Sequence, residues 1–353
     1  MTQENPADVA HPRKRKDLRL TKWILGIALV FLAVTFIMVV PMMVASADRD
    51  AIIKIPKSAT FQTVADSLTK YLGKSYADKV IRLNRLHNAD FSQRHGAYLI
   101  PKGMNAFMAA RRLHRGAQNP VRITINGFRS LPLMASRIAA KTDFTAGELE
   151  SVLTDSATLA GFGLSPDQAL ALFLDDTYEI YWTTTPGELV EKIGAHYRNV
   201  WTPTRRRKAA DMGLTPAEAA IIASIVDEES NKEEEKGTIG RLYVNRLQRG
   251  MKLQADPTVR FALNDFTIRR VTSAHLHADS PYNTYLHAGL PPAPIRTTSV
   301  KTIDAVLDSK PSDYIYMCAK EDFSGFHNFA SNYRDHVANA LRYQHELDKR
   351  GIK

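Results

Sequence analysis

The hydrophobic pattern divides the chain into three stretches. From Trp23 to Ala47 no residue is charged, and most are Ile, Leu, Val, Phe, Met or Ala. A bilayer core needs about 20 apolar residues in one helix, and this run supplies them. Beyond Asp48 the pattern becomes short and mixed. Ile52 to Pro56 predicts a strand, Thr60 caps a helix running to about Leu72, and Gly73 ends it. A second helix is expected from about Tyr76 to Leu86, a strand at Tyr98-Leu99-Ile100, and a helix from about Ala106 to Arg115.

The third stretch opens with a strand from Val121 to Ile125, then shows repeated helix starts. Thr145 with Glu148, Ser165 with Gln168, Thr185 with Glu188 and Thr215 with Glu218 all have the spacing of a capping box. In the last three, Pro takes the first helical position, where its missing amide costs nothing. A helix is therefore predicted from Pro216, and another from about Thr238 to Gly250. Residues 273–298 are rich in Pro, Gly, Asn and His and read as loop. Tyr314 to Ala319 reads as a strand, Phe326 to Phe329 as its hairpin partner, and Asn332 to Lys349 as a closing amphipathic helix.

The fold class expected is α+β, with a transmembrane helix, a small βααβ module and a mixed α+β domain. The boundaries are a basic tail at 1–22, a membrane helix at 23–47, the module at 48–118 and the larger domain at 119–353. The tail is polar enough to be disordered. Strand, helix, helix, strand within some fifty residues is the plan of a LysM-like glycan-binding unit.

Charge sets the orientation. Arg13, Lys14, Arg15, Lys16, Arg19 and Lys22 precede the apolar run. By the positive-inside rule the N-terminus lies in the cytoplasm and everything after Asp48 outside the cell membrane. A cleaved signal peptide is the rival, since Ala45-Ser46-Ala47 reads as a cleavage site. The apolar run is longer than the roughly 7–15 residues of a signal core, which favours an uncleaved anchor. The residues after Ala47 hold 41 Lys and Arg against 34 Asp and Glu, a net charge of +7. That suits an anionic partner such as a cell-wall polymer or a membrane surface. One cysteine, Cys318, allows no disulfide within the chain, so the fold rests on its core. There is no zinc spacing, HExxH motif or phosphate loop, and His275, His277 and His287 read as turn histidines. Neither a metal, a cofactor nor nucleic acid is expected.

Candidate chemistry concentrates at the end of the helix from Pro216. The run Ile221-Ile222-Ala223-Ser224-Ile225-Val226 is apolar almost all round, hence buried, and it ends in Asp227, Glu228 and Glu229. Ile222, Ile225 and Glu229 fall at i, i+3 and i+7 and share a face. Asp227 lies about 160° from that face and Glu228 about 100°, so both read as rim or solvent-facing groups. Burial and neighbouring carboxylates would raise the pKa of Glu229 and make it a proton donor at neutral pH. The plain alternative is a solvated acidic helix end continued by Glu233, Glu234 and Glu235. Asn245, Gln254, Asp256, Thr258, Tyr282, Asn283 and Tyr285 are candidates for binding a sugar, with its apolar face and hydroxyl edge. Each also has a bland reading as a helix-surface amide or as turn chemistry.

Together these segments resemble a known family. Ala223-Ser224-Ile225-Val226-x-x-Glu229, Asn245-Arg246-Leu247, Met251-x-Leu253-Gln254-x-Asp256-Pro257-Thr258-Val259, Tyr282-Asn283-Thr284-Tyr285 and Gly289-Leu290-Pro291-Pro292-x-Pro294-Ile295 occur in that order. They are similar to the motifs of the membrane-anchored endolytic murein transglycosylases, the YceG-like proteins. The strong match covers roughly 215–340. A weaker one, including Gly96-Ala97-Tyr98, reaches back through the LysM-like part. The resemblance implies a lytic transglycosylase, a carbon–oxygen lyase. It would cut the bond between N-acetylmuramic acid and N-acetylglucosamine in nascent glycan strands, limiting their length and leaving 1,6-anhydro ends. It also implies Glu229 as the catalytic acid and peptidoglycan synthases as partners. Two departures stand out. Leu174-Asp175-Asp176-Thr177-Tyr178 lacks the family's proline, and Asp227 replaces the usual Glu. A non-catalytic glycan-binding anchor and a lysozyme-type hydrolase are the alternatives.

Overall fold

A computed structural model describes residues 14–351, which divide into two compact units between Asn119 and Pro120. The first begins with α1 (Lys14–Val44). The part of the basic tail before Lys14 lies outside the described residues. From Lys14 onward the expected disordered tail is instead helix, continuous with the apolar run. Leu20–Val44 is long and apolar enough to cross a membrane. Trp23, Phe31, Phe36 and Ile37 are all exposed, so the helix buries none of these side chains against protein. Only near its end, at Met42, does it join a core.

That core is built by β1 (Ala51–Ile55), α2 (Phe61–Leu72), α3 (Lys74–Leu86), β2 (Gly96–Ile100) and α4 (Ala106–Arg115). The strands pair antiparallel, with Ile53 opposite Tyr98. Alternation along β1 turns Ile53 and Ile55 inward, where they meet Leu68, Val80 and Leu113. Gly73, at φ +82, closes α2 and opens α3 in one residue, a backbone state that disfavours any side chain. The strand–helix–helix–strand order matches the expectation, and the module is mixed α+β.

The second unit starts with β3 (Val121–Ile125), α5 (Leu131–Ala139), α6 (Ala146–Leu153) and α7 (Ser156–Ala160). After a 3₁₀ turn come β4 (Asp176–Ile180), α8 (Pro186–Val200), α9 (Pro203–Asp211), α10 (Pro216–Glu229) and α11 (Glu233–Gln248). The chain ends with α12 (Asp256–Ala262), α13 (Val300–Leu307), the strands β5 (Tyr316–Ala319) and β6 (His327–Ala330), and α14 (Tyr333–Lys349). β3 pairs antiparallel with β4, and β5 with β6.

α10 is the axis of this unit. Thr215 and Glu218 cap it reciprocally, at 2.7 Å and 3.2 Å, and every residue from Ala219 to Val226 is buried. Ala219, Ala220 and Ala223 let neighbours approach while Ile221, Ile222, Ile225 and Val226 fill the core around it. Ser224 is the polar exception. Its Oγ donates to the Ile221 carbonyl (2.7 Å) and accepts the Ile295 amide (3.1 Å), tying the Gly-Leu-Pro-Pro loop to the helix. α11 meets α13 through Gly240, where a Cβ would lie 2.8 Å from Val306.

Candidate active site

The last turn of α10 sends its three carboxylates in three directions. Asp227 accepts hydrogen bonds from Lys236 Nζ (2.9 Å), Thr298 Oγ1 (2.5 Å) and Thr302 Oγ1 (2.7 Å). Glu228 takes both Nη2 contacts of Arg129 (2.7 and 2.9 Å) and Nη1 of Arg296 (3.0 Å). These two are therefore not rim groups open to solvent. Their side chains are only 8% and 11% exposed, and each locks the helix end to other elements. The helical-face count missed this because α11, α13 and the 296–298 segment cover the faces it left to water.

Glu229 is the one without a cation. Its Oε1 accepts a hydrogen bond from Tyr243 Oη at 2.6 Å. The residue is half-buried and lines a cleft of about 390 Å³ together with Tyr243, Arg246, Gln254, Asp256, Tyr285 and His327. Enclosure by protein disfavours the charged form and pushes its pKa up to about 7. The Tyr243 hydrogen bond pulls the other way, the nearby charge of Asp256 adds to the rise, and His327 and Arg260 oppose it. Tyr243 is buried, and desolvation with the adjacent Glu229 lifts its pKa well above the ordinary value, so its hydroxyl remains a donor.

Arg246 and Gln254 shape one wall. The Arg246 guanidinium donates to the carbonyls of Lys252 (2.9 Å) and Ile315 (2.7 Å) and to Gln254 Oε1 (2.5 Å). Gln254 sits at φ +52, a region few non-glycine residues occupy, and its amide donates to the Thr284 carbonyl (3.1 Å). Strain of this kind persists where surrounding bonds hold it, and it clusters at functional clefts. Tyr285 Oη donates to Asp256 Oδ1 at 2.6 Å. An aromatic face adjoins it: the Arg246 guanidinium lies over the Tyr316 ring (5.7 Å), the Tyr316 and His336 rings stack with centroids 5.0 Å apart, and Tyr333 stands beside them.

Of the seven residues expected to bind sugar, Gln254, Asp256 and Tyr285 line this cleft. The other four do not. Asn245 donates to the carbonyls of Ser312 (2.6 Å) and Tyr314 (3.0 Å), anchoring the approach to β5. Thr258 is fully buried against Thr284 Oγ1 (2.8 Å), and Asn283 closes its own loop on the carbonyls of Leu276 and Ala278 (both 2.9 Å). Tyr282 packs on Phe261 and faces a different cavity. Buried amides and hydroxyls must find partners inside the protein, and here they find backbone. Segment 174–178 also lies outside the cleft. Asp175 instead braces the other side of the helix end, accepting from Thr297 Oγ1 (2.5 Å) and the Gly127 amide (3.0 Å).

Sequence reasoning missed Tyr243, Tyr316, His327, Tyr333 and His336 as cleft residues. Tyr243 carried a usable signal, since a tyrosine inside an apolar helical run needs a partner for its hydroxyl. His327 and Tyr316 come from a hairpin far along the chain and carried none.

An enclosed acid with a pKa near neutrality, with no cation in hydrogen-bond contact among the described residues, beside aromatic rings in a polar cleft, has the chemistry that general acid catalysis on a polyhydroxylated substrate requires. The chain belongs to the YceG-like family, whose profile matches residues 53–342. It is 26% identical over 285 residues to the endolytic murein transglycosylase of Bacillus subtilis (strain 168), covering 76% of this chain and 79% of that protein. It is 30% identical over 172 residues to the protein of the same name from Streptococcus pneumoniae serotype 2, covering 47% of this chain but only 31% of that longer relative. Its fold is similar to the crystal structure of a YceG-like protein from Listeria monocytogenes, with TM-score 0.53 and 21% identity over 82% of this chain and 98% of that one.

Proposed function

We propose that this protein is an endolytic murein transglycosylase with Glu229 as its single catalytic acid. Family membership across 53–342 and the names of its curated relatives support the reaction. The observation that carries the residue assignment is the enclosed Glu229 carboxyl, poised at about 7 and bonded to Tyr243.

The chemistry needs one carboxyl group. Protonated Glu229 donates to the glycosidic oxygen as the bond to muramic acid C1 breaks. Its carboxylate then takes the proton from the sugar's own 6-hydroxyl as that oxygen closes on C1. Tyr243, holding one carboxyl oxygen, leaves the other for the substrate. Gln254, Asp256 and Tyr285 supply hydrogen-bonding groups in the cleft, and the wall of Tyr316, Tyr333 and His336 suits a sugar face.

Residues 48–118 are read as a LysM-like module, supported by the strand–helix–helix–strand order of β1, α2, α3 and β2. Residues 119–353 are read as the catalytic domain. α1 is read as a single-pass anchor of the cell membrane, N-terminus inside. Its length, its exposed apolar side chains and the basic residues at its start support this. The catalytic unit then works outside the membrane on nascent strands. Partnership with synthases rests on the resemblance alone.

A second reading has one observation in its favour. Asp256 is another carboxyl in the same cleft, as a hydrolase that positions water would need. Mass spectrometry of digested sacculi separates the two. The proposal predicts 1,6-anhydro ends from the native protein and none from Glu229→Gln. Reducing ends instead would establish a hydrolase, and anhydro ends from the Gln variant would remove Glu229 from its role.

A further inference from the structure

The cleft that holds Glu229 also holds a histidine that the single-acid chemistry does not use. His327 opens β6, across from Ala319 of β5, so the hairpin carries it to the cleft. One edge of its ring is occupied. Nδ1 lies 2.9 Å from Oε1 of Glu235, whose Oε2 accepts the His327 amide at 3.0 Å. Glu235 is buried, 5% exposed, and its Oε1 also accepts the Ser230 hydroxyl at 2.5 Å. A carboxylate held by two such donors fixes the tautomer, with the proton on Nδ1, and leaves the Nε2 edge for the cleft. Helix α11 thus supplies both an orienter for His327 and, at Tyr243, the donor to Glu229.

We propose that His327, aimed by Glu235, contacts the substrate through Nε2 and accepts a hydrogen bond from the muramic acid 6-hydroxyl, turning that oxygen toward C1. The inference rests on the transglycosylase reading above. The bond balance is unchanged: C1–O4 breaks with the Glu229 proton going to O4, and as C1–O6 forms the O6 hydrogen turns from Nε2 to the Glu229 carboxylate just made, which takes it as a proton. His327 ends as it began. Its contribution is to favour the internal hydroxyl over water. Losing it should slow cutting and let reducing ends appear among the products, a partition that a purely structural histidine would not move.

Two substitutions divide the ring's functions. In His327→Asn the amide nitrogen stands near the place of Nδ1 and keeps the Glu235 contact, while Nε2 is lost. In His327→Gln the terminal amide reaches the place of Nε2. Full-length protein in detergent would be given purified glycan strands and its products counted by mass spectrometry. We expect His327→Asn to melt like the native protein, to cut about 10- to 100-fold more slowly and to give a raised share of reducing ends. His327→Gln should recover part of both rate and product ratio. Native rate and product ratio in His327→Asn, or no recovery in His327→Gln, overturns the proposal. If the native protein itself gives no anhydro ends, the reaction assigned above fails first, and this contact fails with it.

Discussion

The fate of each acid at the end of α10 follows from its nearest neighbours. Asp227 and Glu228 have cations within 3.0 Å, and Glu229 has a tyrosine. Folded Glu229 holds its proton up to about pH 7, whereas its ordinary value is 4.5. Between those values the folded state binds the extra proton, so the group's contribution to stability falls as pH rises through that window. Glu229→Gln removes the burial cost. It should leave stability nearly unchanged below pH 4.5 and raise it by up to about 3 kcal/mol above pH 7, as seen in denaturant melts at the two pH extremes. Two neighbours should move the activity limb in opposite directions. Tyr243→Phe deletes the bond that favours the carboxylate, so the limb should shift to higher pH. Asp256→Asn deletes a negative charge that opposes ionisation, so it should shift lower, each by about 0.5–1 unit in a pH–rate profile. Shifts of the same sign would contradict this picture of the site. At this scale the sequence was informative about Glu229, because a 3.6-residue period places it on the buried stripe with Ile222 and Ile225. It misplaced Asp227 and Glu228 on the rim, because their partners Arg129, Lys236, Arg296, Thr298 and Thr302 include residues about 70 to 100 positions away.

Local signals work where an element is defined by its own residues. The capping boxes at Thr145, Thr185 and Thr215 are formed as expected, as is the reciprocal cap at Ser165, which opens a 3₁₀ turn instead of an α-helix. β1, β2 and β3 and the closing helix fall within a few residues of their predicted positions. The helix expected from Thr238 begins five residues earlier, at Glu233, where Glu233, Glu234 and Glu235 favour a helix N-terminus. α5, α7, α9, α13 and β4 were not foreseen. α13 is eight residues long, and it exists because Thr302, Ile303 and Val306 pack inward and Thr302 bonds Asp227. Asp227 thus joins α10 to α11 through Lys236 and to α13 through Thr302. Asp227→Ala leaves the buried Lys236 with Glu233 (2.7 Å) as its remaining carboxylate and takes the acceptor from Thr298 and Thr302, and should destabilise the fold by about 1.5–3 kcal/mol in chemical denaturation. Pairing it with Lys236→Met should recover part of that loss, since the buried charge that has lost its more enclosed partner is then gone. An additive loss in the double variant would show that the pair is not coupled.

For the whole molecule, the division of labour was legible because each part has its own compositional mark. The apolar run becomes one exposed helix, the βααβ plan becomes a small core, and the all-buried α10 becomes the axis of the larger unit. The cleft was legible only in part. Gln254, Asp256 and Tyr285 reach it from the motif loops, while Tyr316, His327 and His336 arrive from a hairpin and helix that carry no local signature of a site. Tertiary assembly, which a single sequence does not display, decides which motif polar groups face the cleft and which hold backbone. The account as a whole depends on one carboxyl keeping its proton at neutral pH. The direct measurement is kcat/KM of the full-length protein on defined glycan strands from about pH 5 to 9. We predict a plateau that gives way near pH 7 to about a tenfold fall per unit of pH. A fall already under way near 4.5, or activity unchanged through about pH 9, would contradict the assignment of Glu229 as the acid.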